Sequence, residues 1–184
     1  MHSGEADLVK GCLKGNRSYQ ELLYLKYCKK MMGVCLRYSK SKEEAEDILQ
    51  DAFIRVYSKL QQYRNEGSLE GWIRRIVLST IYDSFRRKNH LLVLNDMSDY
   101  EEAAEETDFM DNIDLEELIQ AIRELSPGYR TVFNMFAVEG YSHKEIAFNL
   151  GISVGTSKSQ YSGARRILQN KLVKYSSILT VKSK

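Results

Sequence analysis

The sequence predicts an all-α protein of two small helical domains joined by a flexible acidic linker, and three observations carry that prediction. One proline, Pro127, and eleven glycines punctuate 184 residues, too few breaks for a chain rich in hairpins. Apolar residues recur at three- and four-residue spacing in segment after segment, the period of a helix with one buried face. No stretch alternates at period two for long enough to make a strand, Leu91 to Leu94 being short and isolated.

The first periodic segment runs from Ser18 to Tyr38, with Tyr19, Leu22, Leu23, Tyr27, Met31, Val34, Cys35 and Tyr38 on one stripe. After a break at Lys40 to Lys42, Ser41 and Glu44 form a candidate capping box. That box opens a helix through Gln62, whose stripe is Ala45, Ile48, Leu49, Ala52, Phe53, Val56, Tyr57 and Leu60. Asp47, Gln50, Asp51 and Arg55 fall on its polar side. A turn over residues 63–68 leads to a third helix from Leu69 to Lys88. Leu69, Trp72, Ile73, Ile76, Val77, Thr80 and Ile81 supply its core side. Arg75, Ser79, Tyr82, Asp83 and Arg86 line another face. Cations interleaved with an aromatic ring suit a nucleic-acid backbone and an unstacked base; the same arrangement also fits a solvated face whose basic end complements the helix dipole.

Residues 95–114 are polar, acidic and poorly striped, so the pattern stops there. Ten acidic residues and no Lys or Arg lie between Asp99 and Ile122. Residues 1–98 carry seventeen basic against twelve acidic residues, and residues 123–184 ten against three. Two basic lobes therefore flank an acidic bridge, a distribution that the net charge of +2 conceals and that favours polyanionic partners. The three cysteines, Cys12, Cys28 and Cys35, contain no CxxC pair and read as free thiols. No apolar run is long enough to span a bilayer, and Met1 to Lys14 lacks the apolar centre of a signal peptide, so a cytoplasmic protein is expected. No metal site, cofactor or catalysis is expected. His2, His90 and His143 are scattered, no nucleophile motif is present, and no Gly-rich phosphate loop follows a strand.

The second lobe opens with Leu115, Leu118, Ile119, Ile122 and Leu125, breaks at Ser126-Pro127-Gly128, and resumes with Tyr129, Val132, Phe133 and Phe136. From Tyr141 to Leu172 the spacing predicts a helix-turn-helix. Ser142 and Glu145 give a capping box, Ala147 permits close approach, and Leu150-Gly151-Ile152 makes an apolar corner in which Gly can adopt positive φ. Ser153 caps the second helix. Its inner face is expected to hold Val154, Ser157, Tyr161, Ala164, Leu168 and Leu172. Its outer face presents Thr156, Lys158, Ser159, Ser162 and Arg166, hydroxyls and cations suited to phosphates and base edges.

Three strings in this order, EEAEDILQDAFIRVYSKL (43–60), GSLEGWIRRIVLSTIYDSFRRK (67–88) and LSPGYRTVFNMFAVEGYSHKEIAFNLGISVGTSKSQYSGARRIL (125–168), resemble the extracytoplasmic-function sigma factors of bacterial RNA polymerase. The third string is most like the Bacteroidetes members. The resemblance covers about Asp7 to Tyr175. It implies a region 2 domain over residues 1–94, an acidic linker over 95–114, a region 4 domain over 115–175 and a basic tail over 176–184. It also implies docking on the largest-subunit clamp of core polymerase by Asp47, Gln50, Asp51, Phe53 and Arg55. Arg64, Arg75, Ser79, Tyr82 and Arg86 would melt and hold the −10 element. Thr156, Lys158, Ser159, Ser162 and Arg166 would read the −35 element, with the β flap on the other face of region 4. Further implications are a free monomer and a membrane-associated anti-sigma partner. The chain departs from the family at Ser79, where Asn is common, and at Gly163, where a basic residue is frequent. Two other readings stay open at this point: a dimeric helix-turn-helix regulator, and a helical interaction protein whose charged faces are only solvated.

Overall fold

The computed structural model describes residues 4–92 and 115–182, with side chains placed over 4–87 and 117–171. Among the described residues every regular element is helical. They are α1 (Glu5–Leu13), α2 (Arg17–Tyr38), α3 (Lys42–Lys59) with a 3-10 turn at Leu60–Gln62, and α4 (Leu69–Leu92). After residues 93–114 come α5 (Leu115–Arg123), α6 (Pro127–Phe133) running into a π turn at Asn134–Val138, α7 (His143–Leu150) and α8 (Val154–Lys182). The chain forms two compact units, Met1–Ser84 and Phe85–Lys184. The expected linker, 95–114, lies outside the described residues. Of the expected tail, residues up to Lys182 continue α8.

Helix α1 went unanticipated because nine residues hold too few turns to show a period. It buries Leu8, Val9 and Cys12. The Glu5 carboxylate ties it to α2, accepting from Tyr27 Oη at 2.7 Å and Lys26 Nζ at 3.0 Å. These two bonds hold the Glu5 carboxyl below its ordinary pKa. Asn16 caps α2, its side chain accepting from Ser18 N–H. Ser41 caps α3 through Glu44 N–H, while the Glu44 carboxylate reaches the Lys40 N–H at 2.7 Å, one residue further back than a capping box places it.

The core of this unit is drawn from the stripes of α2, α3 and α4: Leu23, Met31, Val34, Val56, Leu60, Leu69, Ile73 and Val77 are fully buried. Two residues expected at interfaces belong to this core instead. Phe53 is 3% exposed, packed edge-on against Tyr24 with ring centres 4.8 Å apart. It cannot anchor a partner, because its position in the i, i+3/i+4 stripe with Leu49 and Val56 turns it inward. Tyr82 is 4% exposed and meets Tyr38 edge-on at 6.1 Å, so it is not available to stack on a base. Ion pairs from Lys30 to Glu70 and from Arg55 to Asp83 brace α4 against α2 and α3.

In the second unit, Ala121, Ile122, Leu125, Phe133, Ala164 and Leu168 form one cluster between α5, α6 and α8. Arg130 is 3% exposed, yet its Nη1 donates to the Arg123 carbonyl at 2.7 Å and also to that of Leu125. A buried cation thus satisfies carbonyls that the end of α5 would otherwise leave orphaned. Lys171 pairs with Glu124 and joins α8 to α5, holding the Glu124 carboxyl below its usual range. The π turn, closed by Glu139 N–H on the Asn134 carbonyl, presents Phe136 to α7 and α8.

Candidate nucleic-acid and partner interfaces

The helix-turn-helix is built as its residue types require. Ser142 Oγ accepts from Glu145 N–H at 3.3 Å, and the Glu145 carboxylate accepts from Ser142 N–H at 2.8 Å, a complete capping box on α7. Gly151 ends α7 at φ 68°, the left-handed conformation that the corner needs. Ser153 Oγ accepts from Thr156 N–H at 2.9 Å and starts α8. A joint that sequence reasoning missed fixes the two helices: His143 Nδ1 and Ser157 Oγ share a hydrogen bond at 2.9 Å, with Ser157 fully buried. The His143 ring stacks on Phe136, centres 4.5 Å apart, and Tyr161 stands edge-on to it.

This joint makes a pH prediction. Burial, and secondarily the charge of Lys158, lower the His143 pKa below the ordinary imidazole value of 6.5. The unfolded chain then binds the proton more readily than the folded one. The stabilisation is complete above the unfolded value and is lost as pH falls from there through the folded pKa. Thermal melts of the protein should show a drop in Tm over that window that His143→Phe flattens; an unchanged pH slope in the variant would show that the imidazole is not its source.

The outward side of α8 is narrower than expected. Lys158 and Arg166 are exposed. Thr156 is half-buried with its hydroxyl 2.9 Å from Ser153 Oγ, and Ser159 Oγ donates to the Thr156 carbonyl. Those two hydroxyls serve the helix start, and Ser162 is half-buried. Val154, expected inside, is 38% exposed because the first residue of α8 precedes the packing against α7. Leu172 lies outside the described side chains. Gly163 has a local cause: a Cβ there would meet the Tyr129 ring at 3.0–3.3 Å. A larger residue requires the far end of the Tyr129 side chain to give way by a few tenths of an ångström.

In the first unit, Asp47, Gln50 and Asp51 are exposed together on α3, as their spacing implies. The apolar residue among them is Ile54, 67% exposed, not Phe53. Ile54 stands at i+7, i+4 and i+3 from the three polar residues, a signal that was present in the spacing. Arg55 sits at the edge of this face but turns to α4, where its guanidinium donates to Asp83 Oδ2 at 2.5 Å.

That turn places Arg55 in the wall of an open cavity of about 200 Å3 with Lys59, Trp72, Arg75, Ile76 and Ser79. Three cations, one indole and a small hydroxyl surround a space sized for part of a nucleotide. The neighbouring loop is ordered by Tyr63, whose hydroxyl donates to the Gly67 carbonyl at 2.9 Å and whose ring lies 5.5 Å from that of Trp72. Ser68 caps α4 by accepting from Gly71 N–H. Arg64 is exposed on that loop, and Arg75, Ser79 and Arg86 are exposed on α4. Of the five residues expected at the −10 element, the structure removes only Tyr82 from the surface.

Comparison with known proteins follows the same division. The family model described as sigma-70 region 2 matches residues 23–91, and that described as sigma-70, region 4 matches residues 115–168. The extracytoplasmic-function sigma factor SigE of Mycolicibacterium smegmatis is 30% identical over 165 residues, covering 87% of this chain and 63% of its own length. The sigma-H factor of Pseudomonas aeruginosa is 28% identical, covering 91% of this chain and 93% of its own. The sigma factor SigZ of Bacillus subtilis is 30% identical over 127 residues, covering 69% and 72%. Among the described residues no helix is long and apolar enough to cross a membrane.

Proposed function

The chain belongs to the extracytoplasmic-function group of sigma-70-type RNA polymerase sigma factors, which direct the polymerase to promoters in transcription initiation, and on that premise we propose how its own residues divide the work. Residues 1–94 act as region 2. The α3 face of Asp47, Gln50, Asp51 and Ile54 docks on the clamp of the largest polymerase subunit, carboxylates and an amide ringing an exposed apolar side chain, the pattern of an interface hot spot. The cavity of Arg55, Lys59, Trp72, Arg75, Ile76 and Ser79 holds the −10 element after it opens, with Arg64 and Arg86 as further contacts to the same strand. Opening needs no catalyst. Preferential binding of unstacked bases offsets an unstacking cost of a few kcal/mol.

Residues 115–175 act as region 4, in which Lys158 and Arg166 carry most of the phosphate contact to the −35 duplex and Ser162 a smaller part. Thr156 and Ser159 support the helix start and contact DNA through it. The β flap takes the other face of this domain, residues 95–114 serve as the connecting segment, and 176–184 as a basic tail. The protein is a cytoplasmic, monomeric regulatory subunit and not an enzyme, with an anti-sigma factor at the membrane as its negative partner. The form YSHKEIAFNLGIS with GTSKSQ supports a Bacteroidetes-type subclass.

The single observation that carries this reading is the cavity, because a stand-alone helix-turn-helix regulator has no use for a second cationic, aromatic-walled site on another unit. Reconstitution with core RNA polymerase and mapping of transcript starts tests it. Transcripts starting at a common spacing downstream of shared −10 and −35 elements are expected. A dimer in gel filtration that binds palindromic duplexes without polymerase would favour the regulator instead.

A further inference from the structure

We propose that Val154 reads the 5-methyl group of a thymine in the duplex recognised by α8, and so is a specificity-determining residue of the upstream promoter element. The inference rests on the assignment of α8 to duplex DNA. Val154 belongs by spacing to the inner stripe of α8, with Ser157, Tyr161, Ala164 and Leu168. Ser157, Ala164 and Leu168 are buried, and Tyr161 is packed against Phe133 and Phe136. Val154 is not buried, at 38% exposed. It is the first residue of α8, where a recognition helix in this motif brings its side chains to base edges.

The surroundings leave Val154 little competition. The polar side chains nearest to it along the helix are engaged. Ser153 Oγ accepts from Thr156 N–H and lies within hydrogen-bond distance of Thr156 Oγ1, and Ser159 Oγ donates to the Thr156 carbonyl. Gly155, next in sequence, is exposed and presents no side chain of its own, so a base edge can come close to the helix end. Lys158, one turn on at i+4, is exposed, as is Arg166 about two turns further along and about 80° round the helix from Lys158. An apolar side chain at the tip and cations behind it suit a major groove: the phosphates are met by the cations, and the apolar atoms have one apolar feature to meet. In that groove only thymine displays a methyl group, so an apolar contact there discriminates T·A from every other base pair.

The test removes that methyl and nothing else. A duplex is first selected from a random pool by the polymerase reconstituted with this protein. Each thymine of its upstream element is then replaced singly by deoxyuridine, which keeps every hydrogen-bonding group. With the wild-type protein one replacement should weaken binding about fourfold, the effect of withdrawing one CH2-sized group from a buried contact. With Val154→Ser the thymine and uracil duplexes should bind equally, and Val154→Thr, which keeps one methyl group, should retain part of the difference. Circular dichroism checks that both variants keep their helical content. Three results would overturn the inference while leaving duplex reading by α8 intact: a selected site without thymine, indifference of the wild type to every replacement, or a uracil penalty that persists in Val154→Ser. Binding indifferent to the whole upstream element, with Lys158→Ala equally silent, would instead remove the assignment on which the inference rests.

Discussion

Asp51→Arg is expected to weaken binding to core RNA polymerase by about 2 kcal/mol or more, the scale on which hot-spot residues act, and Ile54→Asp to do the same. Phe53→Ala should fail in a different way. Asp51 and Ile54 are exposed on α3, so their replacement leaves the unit's packing untouched. Phe53 is buried against Tyr24 and Tyr57, and its truncation removes core contacts whose loss costs about 3–5 kcal/mol of stability. Titration of labelled protein with core polymerase, beside a denaturant melt of each variant, separates the two behaviours. The interface variants should melt like the wild type and bind poorly. The core variant should melt early and, well below its own midpoint, bind normally. Wild-type affinity in both Asp51→Arg and Ile54→Asp would mean that this face of α3 does not meet the polymerase.

The contrast between Phe53 and Ile54 shows where sequence periodicity stops being informative. The stripes of α2, α3 and α4 were legible because a helix that buries one face must repeat its apolar residues at three and four. The helix-turn-helix was legible because its corner demands particular residue types: a capping Ser with Glu three residues on, and a Gly that reaches φ 68°. What periodicity does not state is how wide an arc a neighbouring element covers at each level along a helix. Tyr82 lies within about 20° of Arg75 and about 40° of Arg86 round the helix, seven residues from one and four from the other. It is buried because the end of α2 brings Tyr38 over that level of α4. Val154 shows the converse, a stripe position left uncovered at the tip of a helix. Arg55 was assigned by angle to the face of Asp51, yet a long flexible side chain answers to the nearest opposite charge, and Asp83 lies on another helix. Gly163 stood out as a departure from the family without a visible reason, because the Tyr129 ring of α6 that crowds it is distant in sequence. The joint of His143 and Ser157 was hidden for the same reason: its members are fourteen residues apart and neither is unusual alone.

The largest functional separation is expected between Arg75 and Lys158. Arg75 lines the cavity with Trp72 and Ser79, whereas Lys158 stands exposed on α8, so one should act on opened strand and the other on duplex. Lys158→Ala should reduce promoter binding and shift its salt slope by about one counterion, since each phosphate neutralised releases roughly 0.9 of a counterion from B-DNA. The loss should be present from the first closed complex. Arg75→Ala should leave closed-complex binding nearly intact and depress open-complex formation by about tenfold or more, as loss of a hydrogen bond to a charged group, worth about 1.5–3 kcal/mol, does. Opening the −10 region in advance with mismatched bases removes the unstacking cost that the cavity otherwise offsets. It should therefore partly restore Arg75→Ala and do nothing for Lys158→Ala. Permanganate footprints of unpaired thymines, read on matched and pre-opened templates with each variant, give the comparison directly. If both variants show the same defect on both templates, cavity and recognition helix are not separate binding surfaces, and a protein that only grips duplex DNA becomes the better account of this chain.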